Sequence, residues 1–463
     1  MMPKTLNMDQ AQTKRAALLV ATLGAFLTPF GGSSVVIALP SIGKEFAMDA
    51  ISLSWVVTAY LLATAVFLVP FGRVADLYGR KRIFTYGILI FTTASFSLLI
   101  CTSTLMLICF RILQGIGSAM IFTNGVAILT SVFSILERGK VLGINVGAVY
   151  LGLSLGPILG GFLTQNLGWR SIFLINVILG VIIIAFIFWK LKGEWAEAKG
   201  EKFDLTGSII YSLTLIVIMY GFSLLPSISG TWLILLGALG VLAFVKWETK
   251  LESPVLDIHL FRNNRVLTFS NLAAFIHYSA TFAVGFLLSL YLQFIKGLGP
   301  QSAGLILVCQ PIMQAIFSPF SGRLSDRIEP RIVASMGMML TGLGLSLFIF
   351  LNEKTTLTFI VISLILLGFG FGLFSSPNTN AVMSSVEKRF YGVVSGILGT
   401  MRMTGQMFSM GMTMLIFAVF VGRVQITPEY YPFFLKSVKV AFAFFTALCF
   451  GGVFASLARG KVR

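Results

Sequence analysis

About fourteen apolar runs, each roughly 18–30 residues long and parted by short charged stretches, constrain what this chain can become. In lipid, every backbone N–H and C=O must be satisfied internally, so only helices or closed barrels can cross. The runs are too long for barrel strands and do not alternate apolar with polar residues, so helices are expected. Of the 463 residues, 57% are hydrophobic and 11% are charged, whereas soluble proteins carry about 25% charged residues. The predicted fold is an all-α polytopic membrane protein. Its spans, numbered helix 1 to helix 14, fall at 16–39, 52–71, 83–100, 104–129, 141–163, 172–189, 205–224, 230–247, 267–294, 303–320, 332–350, 357–383, 392–421 and 438–457. The first run is too long for a cleavable secretion signal and continues into structure. No stretch is large enough for a soluble second domain.

The net charge of +17 lies in loops beside helices, so it reads as topology rather than nucleic-acid binding. Lys44, Arg170, Lys296, Lys354, Arg423, Lys436 and Lys439 fall on one side. Arg111 and Arg402 fall within spans, and the other cations lie on the amino-terminal side, a roughly threefold bias. Both termini are therefore expected in the cytoplasm of a multi-pass cell-membrane protein. Cys101, Cys109, Cys309 and Cys449 are scattered in or beside apolar runs without a CxxC pair, so no metal or redox site is expected.

A short motif occurs twice. Between helices 2 and 3 the chain reads GRVADLYGRKR, Gly72 to Arg82, expected to form a loop of a few residues with glycines at its reversals. After helix 10 the same start returns as GRLSD, so that Gly72, Arg73 and Asp76 map onto Gly322, Arg323 and Asp326. The spacing predicts two six-helix bundles, 1–190 and 266–463, with two extra helices inserted at 191–265. Parallel repeats of this kind place a substrate site near the midplane, at their interface.

The loop GRVADLYGRKR resembles the signature between helices 2 and 3 of the major facilitator superfamily. That resemblance implies a conformational clamp in which Asp76 pairs with basic residues and a neighbouring helix end. Gly72, Arg73, Gly79, Arg80, Arg323 and Asp326 complete its expected membership. An ordinary topogenic turn is the alternative. In helix 5, Ala148, Gly152, Gly156 and Gly160 recur every four residues, a ridge that lets another helix approach closely. Pro157 permits a bend. With Gly161, the stretch resembles the GxxxGPxxGG motif of the superfamily's exporters; plain small-residue packing is the alternative. In helix 4, an intramembrane arginine is a functional-site hypothesis by default. Arg111 resembles the arginine of the family's RxxxG motif, linked there to proton transfer, and Gln114 lies one turn on. The segments WRSIFLIN, ESPVLDIHLFRNNRVLTF and SSPNTNAVMSSVEKRFYGVVSGILGTMRMTGQ are similar to those of the fourteen-helix drug:proton antiporter branch.

One departure matters. That branch usually has an acid in helix 1, nine residues before the proline of an ALP motif. Here ALP is Ala38-Leu39-Pro40 and the matching position is Gly31. All 17 acids are expected in loops or at helix ends. The polar groups left inside are Arg111, Gln114, Arg402, His277, Asn378 and Asn380, the candidates for proton coupling and cavity lining. Histidine alone titrates near neutral pH unperturbed, so His277 could carry a proton or be a hydrogen-bonded structural residue beside Tyr278. The 43 phenylalanines and 18 methionines suit an adaptable greasy cavity, although most must simply face lipid or other helices.

The expected function is a secondary exporter of hydrophobic or amphipathic compounds, exchanging them for protons by alternating access. Without a helix-1 acid, neutral, zwitterionic or anionic substrates are favoured over dications. The alternative is an exporter or facilitator of one anionic or lipid-like metabolite without proton coupling. An intramembrane enzyme would need paired acids or HExxH, and an ATP-driven pump GxxxxGK[ST]; neither pattern occurs. No catalytic residue, cofactor, metal or nucleic-acid partner is expected. The partners are the small molecule, protons and the bilayer, and a monomer is expected. Helices 7 and 8, free of acid or base between Leu205 and Lys246, are expected to be peripheral.

Overall fold

A computed structural model describes residues 4–196, 203–251, 259–262, 264–387 and 391–460. The acids Glu197, Glu201, Glu252 and Asp257, and parts of the two antiporter-like segments at 252–258, 263 and 388–390, lie outside those residues. Among the described residues, 14 helices are long and apolar enough to cross a membrane. Helices 1 to 6 are Gln12–Glu45, Ala50–Tyr78, Arg80–Leu99, Thr104–Val132, Glu137–Leu167 and Ser171–Lys190. Helices 7 and 8 are Leu205–Leu224 and Ile228–Glu248. Helices 9 to 14 are Arg265–Ile295, Pro300–Ser325, Pro330–Phe350, Leu357–Ser384, Val393–Phe420 and Pro428–Ala458. We name the membrane face from which helix 1 starts the terminal face, and the other the distal face.

The packing repeats with a step of eight helices. Helix 1 lies on helices 4, 5 and 6, helix 2 on helix 4, and helix 3 on helices 4 and 6. The same pairings return for helices 9, 10 and 11 against helices 12, 13 and 14. Two six-helix bundles therefore share one architecture. They meet where helix 5 packs on helix 10, helix 2 on helix 13 and helix 1 on helix 9.

Several helix interruptions have identifiable causes. Helix 10 breaks at Val308, between Pro300–Leu307 and Cys309–Ser325, because Pro311 has no N–H for the Leu307 carbonyl. In helix 9, the Ala283 N–H leaves the helical ladder and donates to Ser409 Oγ of helix 13 at 3.1 Å. A π-turn follows at Tyr291–Ile295.

The expected loop at Gly72–Arg82 is almost wholly helical. Helix 2 continues to Tyr78 and helix 3 begins at Arg80, leaving Gly79 alone to reverse the chain. Its φ of +119° is a conformation that L side chains rarely adopt. Gly72 lies inside helix 2, where intrahelical bonding of the preceding apolar run simply continues.

Helix 7 crosses the join between the bundles. Tyr211 donates to the Ala65 carbonyl of helix 2 at 3.0 Å. Pro70 lacks the N–H that would serve the Val66 carbonyl, and Ser212 of helix 7 reaches that oxygen at 3.5 Å. At its distal end, Phe222 meets Phe408 of helix 13 edge-on, and Arg423 donates to the Ser223 carbonyl. Helix 8 covers helix 7 and exposes Trp232, Leu235, Leu236, Leu239 and Leu242.

Candidate functional site

The centre of the first bundle is built on Arg111, which is fully buried. Its Nε donates to the Val56 carbonyl of helix 2 at 3.0 Å, and its Nη1 to Gln114 Oε1 at 2.5 Å. Gln114 in turn donates to Ser95 Oγ of helix 3 at 2.9 Å. The guanidinium lies 4.4 Å from the Tyr60 ring centroid, a geometry that suits a cation. Tyr60 and Ser118 share a 2.7 Å hydrogen bond. Arg111 thus joins helices 2, 3 and 4 inside one bundle.

The centre of the second bundle is arranged differently. His277 is fully buried, and neither ring nitrogen has a hydrogen-bond partner. Its ring stacks on Phe374 of helix 12 at 4.0 Å and meets Phe371 edge-on at 4.7 Å. One turn along helix 12, Asn378 donates to the Ser270 carbonyl at 3.2 Å, while its Oδ1 is unpartnered. Arg402 of helix 13 donates to Thr379 Oγ1 at 2.7 Å and lies 5.6 Å from the Tyr278 ring centroid. Across the bundle boundary, Tyr150 of helix 5 shares a 3.2 Å hydrogen bond with Ser318 of helix 10. His277, Asn378 and Arg402 are therefore grouped on helices 9, 12 and 13, whereas Arg111 and Gln114 belong to the other bundle. Asn380 points elsewhere: it donates to Ser325 Oγ and Asp326 Oδ1, at the end of helix 10.

The helix-5 ridge serves two neighbours. A methyl at Gly152 would come within 2.6 Å of the Phe26 carbonyl oxygen, and one at Gly160 within 2.8 Å of the Ser34 side chain. Gly156 sits against Ser33, so this row packs on helix 1 within its own bundle. Gly161 faces outward instead, where a methyl would lie 2.5 Å from the Pro300 carbonyl oxygen of helix 10. Pro157 presents its carbonyl to Gly304, where a methyl would overlap it.

At the distal face, hydrogen bonds join the bundles directly. Pro40 cannot donate to the Val36 carbonyl, and Ser289 of helix 9 does so at 2.8 Å. Gln293, in the π-turn, donates to the Ile37 carbonyl at 2.9 Å. Gln301 N–H donates to Gln165 Oε1 at 3.2 Å. The connection after helix 1 meets that after helix 13 through Ala50 N–H to Val424 O, and Gln425 to Ala47 O. Sequence reasoning missed Ser289 and Gln293, although Pro40 already signalled an orphaned carbonyl at Val36.

At the terminal face, Asp76 and Arg80 form an ion pair at 2.7 Å. Arg80 also donates to Ser131 Oγ of helix 4 at 2.6 Å. The chain after helix 6 is strapped to the same corner. Glu194 accepts the N–H groups of Lys81 at 2.8 Å and Arg82 at 3.2 Å, a carboxylate held at the positive end of helix 3. Arg80 N–H donates to the Trp195 carbonyl, and Lys81 Nζ to the Leu191 carbonyl. Glu194 was not singled out from sequence, because it lies in a polar stretch without any motif. Arg73 lies within helix 2 and Arg323 in the last turn of helix 10.

A family model described as the Major Facilitator Superfamily matches residues 21–248 and 271–461. The chain belongs to that superfamily. This facilitator is 29% identical over 392 residues to the riboflavin transporter RibZ of Clostridioides difficile, covering 84% of this chain and 85% of that one. It is 29% identical over 401 residues to the multidrug resistance protein Stp of Mycobacterium tuberculosis, covering 85% and 74%. The cephamycin export protein CmcT of Amycolatopsis lactamdurans is 29% identical over 432 residues, covering 89% and 87%. The family is one of transporters, not enzymes.

Within this facilitator, Gly31 does not stand free. A methyl there would lie 3.1 Å from the Asn176 amide nitrogen of helix 6 and 3.2 Å from the Phe91 ring. Asn176 is fully buried, and neither polar atom of its side chain has a partner. The helix-1 position that resembles an acid site thus carries no side chain and opposes an uncharged amide.

Proposed function

We propose that this facilitator exports hydrophobic or amphipathic compounds in exchange for protons by alternating access. The bundles 1–190 and 266–463 would rock about their join, with 191–265 between them and the terminal face in the cytoplasm. The observation that carries this reading is the distal seal. It consists of hydrogen bonds between whole bundles, at Val36 with Ser289, Ile37 with Gln293, and Gln165 with Gln301. Each is worth about 1 kcal/mol net, so a few can be exchanged for others without unfolding either bundle. Tyr150, Ser318, Tyr278 and Arg402 would line the substrate path beneath it. His277 would take the coupling proton, and the pair Asp76–Arg80 with Asp326–Asn380 would brace the terminal face. Two relatives named for drug resistance and cephamycin export support the export direction.

Substrates would be neutral, zwitterionic or anionic, because the midplane polar groups are arginines, amides and phenols and Gly31 supplies no carboxylate. One relative is named a riboflavin transporter. It supports a second reading: a carrier for a single metabolite without proton coupling.

Purified protein in liposomes with an imposed pH gradient separates these readings. Internal pH is followed as the dication dequalinium, chloramphenicol, norfloxacin, fluorescein or riboflavin is added. Proton movement with the neutral, zwitterionic or anionic probes is expected, and His277→Gln should abolish it. Strong pumping of dications alone would overturn the substrate assignment. Transport of riboflavin alone, with no proton movement, would establish the second reading.

A further inference from the structure

Helices 9 and 12 meet where Asn378 donates to the Ser270 carbonyl, and several polar groups around that contact are unpaired. Ser270 Oγ, Asn271 Oδ1, Asn378 Oδ1 and both ring nitrogens of His277 are buried without partners. All four residues are at most 1% exposed. Their order along the helices is directional. Helix 9 starts at Arg265 on the terminal face, so Ser270 and Asn271 lie about 8–9 Å in and His277 about 18 Å in, at 1.5 Å per residue. Helix 12 ends at Ser384, which places Asn378 about 9 Å from the same face. Its bond to the Ser270 carbonyl confirms that the two levels coincide. At the mouth of this row, Asn264 donates to the Ser385 carbonyl.

Buried polar groups in proteins are almost always satisfied, commonly by ordered water making two to four hydrogen bonds. We propose that a file of water occupies the helix 9–helix 12 interface and carries a proton between His277 and the terminal face. This rests on the reading of His277 as the proton carrier and assigns its release route. Ser270 and Asn378 are the positioning residues that hold the water. A proton arriving from the substrate side binds one ring nitrogen, giving imidazolium. The other nitrogen then passes its proton to the first water, and an excess proton leaves at the terminal face. The ring returns to neutral as the other tautomer, and a ring flip resets it.

One contact favours a transient imidazolium. Phe374 offers its ring face at 4.0 Å, a favourable position for a cation. Helix 12 also presents the uncharged Phe371, Ser375 and Asn378. Tyr278 adjoins His277 on helix 9, and the Arg402 guanidinium of helix 13 is held beyond the Tyr278 ring. Arg402 would discourage the proton from returning toward the substrate path, since like charges repel.

The chain contains 2 histidines, so a His259→Gln background leaves His277 as the single histidine. Protein labelled with ¹⁵N-histidine, in lipid nanodiscs, is transferred to D2O and the His277 ring N–H is followed by NMR. Exchange within the dead time of mixing is expected. Ser270→Ala with Asn378→Leu should slow it at least tenfold, and Ser270→Thr with Asn378→Gln should keep it fast. A ring proton that persists for minutes in the parent protein would overturn the proposal without reference to any variant. So would an unchanged rate in the Ala/Leu pair. The transport reading fails separately. Fast exchange together with proton-coupled export that survives His277→Gln would leave the water file in place and remove His277 from coupling.

Discussion

The two bundles share a packing plan but treat their central polar groups in opposite ways. In the first, Arg111 donates to Val56 and Gln114, rests on the Tyr60 ring and links three helices. In the second, His277 touches aromatic rings and satisfies neither nitrogen. A repeated scaffold therefore supplies one centre tied into a hydrogen-bonded network and another whose ring nitrogens are left unpaired. Arg111 leaves its Nη2 unpaired, but its other bonds tie it to its neighbours, and such networks rigidify a core, whereas a polar group with no partner at all only costs stability. Retention of such a group at the bundle centre is the reason His277, rather than Arg111, is proposed as the proton carrier.

Substitutions should separate the two centres. Arg111→Leu removes the donor to Gln114 and Val56 and should cost roughly 2–3 kcal/mol, because it leaves acceptors unpaired. Loss of the monodisperse fraction after a heat step, read by fluorescence-detected size exclusion, would check it. Arg111→Lys should recover only part, since an ammonium on a flexible stem does not reproduce the planar fork. His277→Phe should move stability the other way. A ring that keeps the Phe374 stack without two unpaired nitrogens should stabilise by about 1–2 kcal/mol, while proton-coupled transport is lost. Destabilisation by His277→Phe would break the contrast and mark the histidine as structural.

Smaller effects test whether the join between bundles is adjustable while their interiors are not. Ser289→Ala deletes the donor to Val36 and should weaken distal closure by about 1 kcal/mol, a roughly fivefold change in the closed population. Spin labels at the exposed Asn166 and Lys354 would report it by distance measurement, with overall stability unchanged. Tyr211→Phe removes one bond between helix 7 and helix 2. It should alter transport rates by less than about fivefold, since one neutral hydrogen bond contributes roughly 1 kcal/mol or less. A complete loss of transport would make helix 7 a required strut rather than a cover over the join.

Motifs marked some of these features and hid others. Pro40, Pro70 and Pro311 could be read directly as missing donors, yet which neighbour would answer each orphaned carbonyl was not written beside them. Ser289 and Ser212 are ordinary serines in sequence and acquire a role only when another helix brings them to a proline's unpaired acceptor. Glu194 illustrates the same point for charge. It is one acid among several in a polar stretch, and its position at the start of helix 3 depends on how the chain leaves helix 6.

The sequence by itself determined the helical, fourteen-span architecture and the repeat between bundles, because hydrocarbon thickness and backbone satisfaction leave few options to long apolar runs. It also located Arg111 and His277 within spans, since ionisable groups there stand out against an apolar background. Tertiary structure decided which of the two is bonded and which is not. That outcome depends on partners 19 to 108 positions away in the chain, such as Ser95 for Gln114 or Asn378 beside Ser270. Hydrogen bonds act over about 3 Å, so only the packed arrangement of helices fixes who meets whom.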